Sequence, residues 1–144
     1  ELESPDWGTL TPARAHAKTF TRCQLSRELL RYNFPRNLIP NLIPHYEYIR
    51  VCMIEHASGR TTEKQTNHNN AYSSYGLFQI HNKEWCKKGR KGGHCSMKCE
   101  DLLNEDLADD VRCAKRIYDR VGFKAWPTSH SYCKDSRLPD LSRC

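Results

Sequence analysis

The sequence predicts an α+β domain in which two or three core helices pack with one small antiparallel sheet. Three observations predict this fold: eight cysteines in a short chain, apolar residues at helical spacing in three segments, and a polar stretch that ends in the apolar run YGLFQI. With 144 residues, the chain is long enough to bury a hydrophobic core of its own. Helices beside a separate small sheet are typical of the α+β class.

The cysteine content predicts four disulfides and an exported protein. An even, dense set of cysteines in a short chain is typical of a disulfide framework formed in an oxidising compartment. A zinc site at Cys95, Cys99 and His94 is the alternative, but the remaining cysteines are not grouped as ligand pairs. Sequence alone leaves roughly a hundred pairings open. The cysteines are Cys23, Cys52, Cys86, Cys95, Cys99, Cys113, Cys133 and Cys144.

The charge balance favours anionic partners. Lys and Arg number 23 against 17 Asp and Glu, a net charge of +6, which suits bacterial envelopes or acidic glycans, with solubility as the plainer explanation. Nucleic acid is not expected as a partner. No apolar stretch approaches the roughly 18 residues of a membrane span and no signal peptide is visible, so we expect a mature, secreted, extracellular monomer.

The chain divides into an N-terminal extension and one domain. Residues 1–17 carry Pro, Gly and mixed charge without sustained periodicity, so we expect a flexible extension there and a domain over residues 18–144. The first helix begins near Cys23, where Leu25 and Leu29 lie one turn apart. The segment FPRNLIPNLIP follows, and its prolines at positions 35, 40 and 44 interrupt any regular element.

A second helix is predicted to begin near His45. It ends at Ser58, where Gly59 marks its C-terminus. Its apolar face repeats at the spacing i, i+3, i+4 and i+7, which is typical of a helix that packs on a core. That face comprises Ile49, Cys52, Met53 and His56.

A small sheet and a third helix follow. Residues 60–75 are polar and suit turns, whereas YGLFQI at 75–80 is the best strand candidate, so we expect hairpins there. The third helix runs from about Asp106 to Arg120, with acidic residues in its first turn that complement the helix dipole. Its apolar stripe comprises Leu107, Val111, Ala114 and Tyr118.

Five segments of the chain carry a family resemblance: KTFTRCQLSREL, VCMIEHASGR, YGLFQIHNKEWC, CEDLLNEDLADDVRCAKRIY and AWPTSHSYC. Together with the eight cysteines, they resemble the c-type lysozymes, above all the insect branch, over residues 18–144. The resemblance implies a helical lobe and a small β-lobe that enclose a cleft for β-1,4-linked N-acetyl sugars, as in peptidoglycan and chitin. It also implies the disulfides Cys23–Cys144, Cys52–Cys133, Cys86–Cys99 and Cys95–Cys113.

Lysozymes are themselves the type case of a cleft that cuts sugar with two carboxyl groups, one protonated as general acid and one ionised. The resemblance places the general acid five residues after Cys52, at Ala57, and the second carboxylate directly before Tyr75, at Ser74. A methyl group donates no proton and a hydroxyl bears no negative charge. Both carboxylates are therefore missing from the expected positions, and we expect no efficient hydrolysis.

Three nearby residues are candidates to replace the lost acid, and none is a good one. Glu55 lies two positions before Ala57, about 200° of helical rotation, so its side chain should leave on nearly the opposite face. His56 stands where the family usually has His or an aromatic ring, which favours a packed, structural histidine. Glu84 lies nearer the expected sugar path, where the family usually has an aromatic ring.

The predicted sugar contacts lie at the centre of the implied cleft. Trp85 and Trp126 match family positions where an indole meets the sugar, and packing between the lobes is the alternative role of Trp126. His81 replaces the usual Asn, Glu84 replaces an aromatic ring and Pro127 follows Trp126, so we expect weakened binding. The sugar-binding candidates are Asn69, Gln79, His81, Trp85, Ala125 and Trp126.

An acidic segment, CEDLLNEDLADDVRC, resembles the calcium loop of α-lactalbumin and the calcium-binding lysozymes. Its side-chain and main-chain oxygens suit calcium, which takes hard oxygen ligands. Asn104 stands where the family usually has Asp, which weakens the predicted site, and complementing the following helix dipole is the alternative role. No cofactor is required for the expected function. The calcium candidates are Asp101, Asn104, Asp106, Asp109 and Asp110.

Three functional hypotheses follow. The leading one is a secreted, catalytically inactive lysozyme-like protein that binds peptidoglycan or other N-acetylglucosamine polymers in innate immunity. A muramidase with residual activity, or an inactivated variant of one, is the first alternative. The second is a protein-binding module on the same scaffold, in which the Leu-Ile pairs at 38–39 and 42–43 of the Pro35–Pro44 insertion form an apolar patch.

Overall fold

A computed structural model describes residues 18–32, 43–133, 141 and 144, and the side chains of all of these except 43–49. The predicted extension at 1–17 lies outside the described residues. So does most of the Pro35–Pro44 insertion, including the side chains of its Leu-Ile pairs.

Helix α1, Arg22–Arg31, begins where predicted and is capped by its own sequence. The hydroxyl of Thr21 accepts the N–H of Gln24, and the Gln24 side chain accepts the N–H of Thr21 in return. Such a capping box satisfies two of the main-chain donors that a helix start leaves open. Leu25 and Leu29 are fully buried, which confirms the predicted apolar face.

Helix α2, Ile43–Ser58, begins two residues before the predicted start at His45. The prediction ended the preceding loop at Pro44, but a proline in the first turn of a helix loses no hydrogen bond because its N–H would be unpaired there anyway. The C-terminus is as predicted: Gly59 has a positive φ of 68° and donates its N–H to the Glu55 carbonyl at 2.9 Å.

The sheet is antiparallel, as predicted, but its strands lie elsewhere. Strands β1 (Gln65–His68), β2 (Tyr72–Tyr75) and β3 (Ile80–His81) pair in the order β1-β2-β3. The prediction of a strand over 75–80 is wrong, because residues 76–79 form the turn between β2 and β3.

The physical reason lies at both ends of this turn. Gly76 and Gln79 have positive φ values of 78° and 49°, which a β-strand does not allow. Leu77 and Phe78 are buried in the hydrophobic core as part of the turn. The apolar run therefore indicates that these residues are buried, but it does not indicate that they form a strand.

Helix α3, Ala108–Val121, begins two residues after the predicted start at Asp106. Asp106 lies outside the helix because its carboxylate accepts the N–H of Ala108 at 3.0 Å, a local bond that competes with the helical pattern. The buried stripe includes Val111 and Ala114 as predicted, but Ile117 is buried where Tyr118 was expected, and Tyr118 is partly exposed.

Three short elements complete the described fold, and the sequence did not predict them. Two are 3-10 helices, Cys99–Leu103 before α3 and Gly122–Ala125 after it. The third is helix α4, Pro127–Cys133, which packs along α2. Pro127 occupies its first position, where proline is favoured.

The four disulfides form the pairs that the resemblance implies: Cys23–Cys144, Cys52–Cys133, Cys86–Cys99 and Cys95–Cys113. The zinc alternative is wrong, because Cys95 and Cys99 are both oxidised and cannot supply thiolate ligands. One core cluster extends from α1 and α2 through the β2–β3 turn to α3. In the described part of the chain, no helix combines the length and the apolarity that crossing a membrane requires.

Candidate functional site

A cleft of about 310 Å³ lies between the helical side formed by α2 and α4 and the sheet side formed by β1 and β2. Its walls are mostly polar or small side chains, with one indole. The lining residues are His56, Ala57, Lys64, Thr66, His68, Ser74, Gln79, Trp126, Pro127, Thr128 and Ser129.

Both positions that the resemblance assigns to catalytic carboxylates line this cleft. Ala57 lies in the last turn of α2, and Ser74 lies on β2, where it pairs with Thr66 of β1. Ser74 is buried, and Ala57 is partly exposed. The fold therefore brings together two positions that are 17 residues apart in the sequence.

Each of these two positions is contacted by a nitrogen-bearing side chain. The Lys64 ammonium donates to the main-chain carbonyl of Ala57 at 3.1 Å. Across the cleft, His68 Nε2 lies 3.0 Å from Ser74 Oγ. Next to this pair, the Thr66 hydroxyl donates to Gln79 Oε1 at 2.8 Å. A lysine and a histidine therefore contact the two positions where the resemblance implies carboxyl groups.

His56 is held by α4. Its Nδ1 lies 3.0 Å from Ser129 Oγ, and its ring lies 4.6 Å from that of Tyr132, centroid to centroid. The packed histidine that the resemblance favours is therefore present, but His56 as a whole is exposed. The prediction that it shares the buried face of α2 is wrong, because this face ends at the rim of the cleft.

Trp126 joins the cleft to the core. Its indole N–H donates to the Phe78 carbonyl at 2.7 Å, which fixes the ring between the β2–β3 turn and α2. Beneath Ala57 lies a small cavity of about 30 Å³ with almost wholly apolar walls. Its lining residues are Leu29, Arg50, Met53, Ile54, Ala57, Phe78, Tyr118, Phe123 and Trp126.

Of the six predicted sugar-binding residues, the structure places Gln79 and Trp126 on the cleft wall. Trp85 is only 4 % exposed and packs in the core beside His81 and His94. Asn69 is exposed in the β1–β2 turn, and Ala125 packs against the core. The cleft wall does not include Asn69, His81, Trp85 or Ala125. Contact of these four residues with sugar stays a prediction.

His81 lies on β3 and faces Tyr72 edge-on, with 5.4 Å between ring centroids. Burial lowers the pKa of His81, and the nearby Glu84 only partly opposes this. The neutral imidazole is therefore favoured over the charged one. His81 therefore packs beside the cleft without lining it.

Neither acidic candidate for a replacement acid reaches the cleft. Glu55 forms ion pairs with Arg22 of α1 and with Arg60, the second at 3.4 Å. Its side chain therefore leaves α2 away from Ala57, as the helical rotation predicts. Glu84 is exposed, and no Asp or Glu lines the cleft among the residues that the structure describes.

Lys64, Thr66, His68, Thr128 and Ser129 reach the cleft although the sequence analysis did not identify them. Thr66 and His68 alternate along β1, and side chains two apart on a strand share one face. That alternation is the sequence signal for a strand here, but the polar composition of the segment favours turns. Thr128 and Ser129 arrive through α4, whose only sequence signal was Pro127 at its start.

The acidic segment lies just before α3 and in its first turn. Asn104 Oδ1 accepts the N–H of Asp106 at 3.0 Å, and Asp109 Oδ1 accepts that of Asp110 at 3.1 Å. Asp110 is 0 % exposed, and neither of its carboxylate oxygens has a hydrogen-bond partner among the described residues. Burial and the adjacent Asp109 raise the pKa of Asp110 well above its usual range.

The donor chemistry of this segment suits a hard cation, because an orphaned, buried carboxylate needs a compensating charge. The side chains are not gathered into a ready site, however. Within the described residues, no three His, Cys, Asp or Glu side chains converge closely enough to hold a metal ion. Calcium binding therefore remains a proposal that depends on Asp110.

A helical side and a small antiparallel sheet that face each other across a cleft, in a chain with four disulfides, define a lysozyme-like protein. The chain belongs to the C-type lysozyme/alpha-lactalbumin family, whose family model matches residues 18–144. It is 44 % identical to the lysozyme of Bombyx mori over 131 residues, 90 % of this chain and 89 % of that protein. It is 41 % identical to the lysozyme of Antheraea mylitta over 129 residues, 88 % of this chain and 100 % of that one.

Solved structures agree with this assignment. A calcium-binding lysozyme from equine milk superposes with a TM-score of 0.70 at 35 % identity, covering 88 % of this chain and 95 % of the equine chain. Canine milk lysozyme gives a TM-score of 0.72 at 29 % identity, covering 88 % of this chain and 98 % of the canine chain. The α+β fold with a helical lobe and a small β-lobe is therefore confirmed.

Proposed function

We propose that this protein is a secreted, non-catalytic member of the family that binds peptidoglycan, chitin or related N-acetylglucosamine polymers without cutting them. The observation that carries this proposal is the composition of the cleft: Ala57 and Ser74 line it, and its described lining contains no carboxylate. Export follows from the four disulfides, which form and persist in oxidising compartments. Binding of bacterial wall by an exported protein fits a role in innate immunity.

The chemistry of glycosidic cleavage supports the non-catalytic part. The leaving oxygen needs a proton donor, and the developing cation needs a negative charge on the opposite side. Losing a general acid typically costs on the order of a hundredfold to ten-thousandfold in rate. Loss of the second carboxylate adds to this cost. The described lining of the cleft lacks both of these groups, which supports a protein that does not cut the sugar chain.

The features that remain support sugar binding. Trp126 presents part of its indole to the cleft beside Gln79, and aromatic faces with a few fixed polar groups are typical of sugar sites. The hydrogen bond from the indole to Phe78 keeps the ring in place before a ligand arrives. A preorganised wall lowers the entropy cost of binding.

Sedimentation with insoluble polymers tests the binding. We expect the protein to sediment with peptidoglycan and with chitin at low salt, and to stay in solution with cellulose, which has the same β-1,4 backbone without N-acetyl groups. Sedimentation with neither N-acetyl polymer would refute the binding proposal. A turbidity assay on bacterial walls tests the other half, since clearing by the unaltered chain would favour a muramidase with residual activity.

We further propose that calcium binds beside α3, where Asp109 and Asp110 would hold it with carboxylate oxygens. A bound cation would neutralise the buried charge of Asp110 and so stabilise the fold. The similarity to an equine milk lysozyme that is described as calcium-binding supports the proposal. The ion has no part in the sugar chemistry proposed here.

A further inference from the structure

The ionisable groups on the cleft wall are of one kind. Lys64, His56 and His68 line it, and its described lining contains no Asp or Glu. The two positions that would hold carboxylates in a cutting enzyme are each in contact with one of these basic side chains. Lys64 Nζ lies 3.1 Å from the Ala57 carbonyl oxygen, and His68 Nε2 lies 3.0 Å from Ser74 Oγ.

This arrangement inverts the charge preference of the cleft. The one ionised carboxylate of a cutting cleft would repel an anionic group on the sugar chain and attract a cationic transition state, whereas the Lys64 ammonium does the opposite. Near a protein surface, opposite charges about 4 Å apart attract each other more strongly than in bulk water, because the effective dielectric constant is lower there. The hydroxyl groups of Ser74 and Ser129 also line this space, and each lies 3.0 Å from a histidine ring nitrogen.

We propose that the cleft selects N-acetyl glycans by charge, binding chains that carry carboxylates, as N-acetylmuramic acid does, in preference to neutral N-acetylglucosamine chains. This inference rests on the proposed sugar binding and specifies the ligand class. A neutral sugar gains little from Lys64, but a carboxylate placed near it gains a charge-assisted hydrogen bond. In intact peptidoglycan the lactyl carboxyl group of muramic acid is bonded as an amide to the stem peptide, so the preference applies to glycan strands whose muramic acid carboxylates are free.

Calorimetry with three soluble tetrasaccharides tests the inference. The first alternates N-acetylglucosamine with N-acetylmuramic acid, the second is the same molecule with its carboxylates converted to amides, and the third is chitotetraose. Because the first two differ only in charge, we expect the acid to bind about fivefold more tightly than the amide at low salt. The ratio should shrink at about 0.3 M salt, where exposed charges are screened.

Two single-site variants test whether Lys64 is the source of the preference for the acid over the amide. Lys64→Gln should remove most of the preference for the acid over the amide. Lys88→Gln removes the same charge from an exposed loop position outside the cleft, so it should leave the preference intact. A thermal melt checks that both variants fold.

Three outcomes separate this inference from the proposed function. Equal affinities for the acid and the amide at low salt would overturn charge selection while sugar binding stands. A preference that Lys88→Gln reduces as much as Lys64→Gln would also overturn it, because the cleft would then not be its source. If none of the three tetrasaccharides binds, the proposed sugar binding itself fails.

Discussion

The space around Ala57 still has the character that a general acid needs. Met53, Ile54 and Trp126 surround the small cavity beneath it, and its walls are almost wholly apolar. A carboxyl group in apolar surroundings keeps its proton to higher pH, because burial disfavours the charged form. Ser74, on the opposite wall, lies among polar groups that would stabilise an ionised carboxylate instead.

Restoring both carboxylates should therefore restore cutting. We expect the double variant Ala57→Glu with Ser74→Asp to clear bacterial walls at least on the order of a hundredfold faster than the unaltered chain. The matched control is Ala57→Gln with Ser74→Asn, which has the same shape but neither proton donor nor charge. Equal clearing by both double variants, or none by the first, would show that the loss of these two groups does not explain inactivity.

Asp110 is the second residue with a specific prediction, and it concerns stability. Its raised pKa means that the folded protein holds the carboxyl proton at pH values where the unfolded chain has released it. The free energy of unfolding therefore falls as the pH rises from the unfolded pKa, about 3.9, through the folded pKa. At neutral pH this penalty persists unless a cation compensates it.

Replacing Asp110 separates these effects. In chelator at pH 7, Asp110→Asn should melt higher than the unaltered chain by on the order of 5 °C. Millimolar calcium should raise the melting temperature of the unaltered chain and raise that of the variant less. Asp119→Asn, an exposed position on α3, should change neither result. The calcium proposal is wrong if the melting temperature of the unaltered chain is the same in chelator and in calcium.

At the scale of elements, the β2–β3 turn shows why a strand was predicted in the wrong place. The apolar run suggested a buried strand, but the main chain of Gly76, the first residue of the turn, packs against the 3-10 helix Cys99–Leu103. A Cβ atom built on Gly76 would lie 2.1 Å from the Leu102 carbonyl oxygen. The contact is between parts of the chain about 25 residues apart, so no local sequence pattern reports it.

The contact between Gly76 and Leu102 gives a prediction for which Gly59 provides the control. Gly76 and Gly59 both have positive φ, but a Cβ on Gly59 would meet nothing within 4 Å. Gly59→Ala should therefore lower the free energy of unfolding by about 1 kcal/mol, the cost of the left-handed conformation alone. Gly76→Ala should cost about 3 kcal/mol or more, because main chain must also move. Equal costs in urea unfolding would show that the turn yields without penalty.

The three longer helices α1, α2 and α3 were predictable, and the cleft was predictable only in part. Periodic apolar positions identify α1, α2 and α3, because each helix buries apolar side chains against the core. Ala57 and Ser74 could be placed because they stand at fixed offsets from Cys52 and Tyr75. Lys64 and His68 were not placed, because the pairing of β1 with β2 brings this part of the chain to the cleft, and the alternation of a four-residue polar strand is a weak signal.

At the scale of the whole molecule, disulfides and charge combine in one exposed loop. The bonds Cys86–Cys99 and Cys95–Cys113 hold residues 87–98, and the Glu100 carboxylate accepts the N–H of Gly89 at 3.0 Å. That hydrogen bond lowers the pKa of Glu100, opposed in part by desolvation. The loop has no acidic residue, and its basic residues are Lys87, Lys88, Arg90, Lys91, His94 and Lys98.

A net charge of +6 should attract the molecule to anionic bacterial walls before the cleft engages a sugar chain. Retention on whole walls should therefore fall steeply between low salt and about 0.3 M salt, where charges beyond a few ångströms are screened. Because the loop concentrates cations, replacing three of them, Lys88, Arg90 and Lys91, with Gln should weaken retention at low salt by about tenfold. The matched control replaces three exposed cations elsewhere, Arg27, Arg120 and Lys124, and removes the same total charge. A smaller loss in the control is expected, whereas equal losses would show that total charge, and not the loop, sets the attraction.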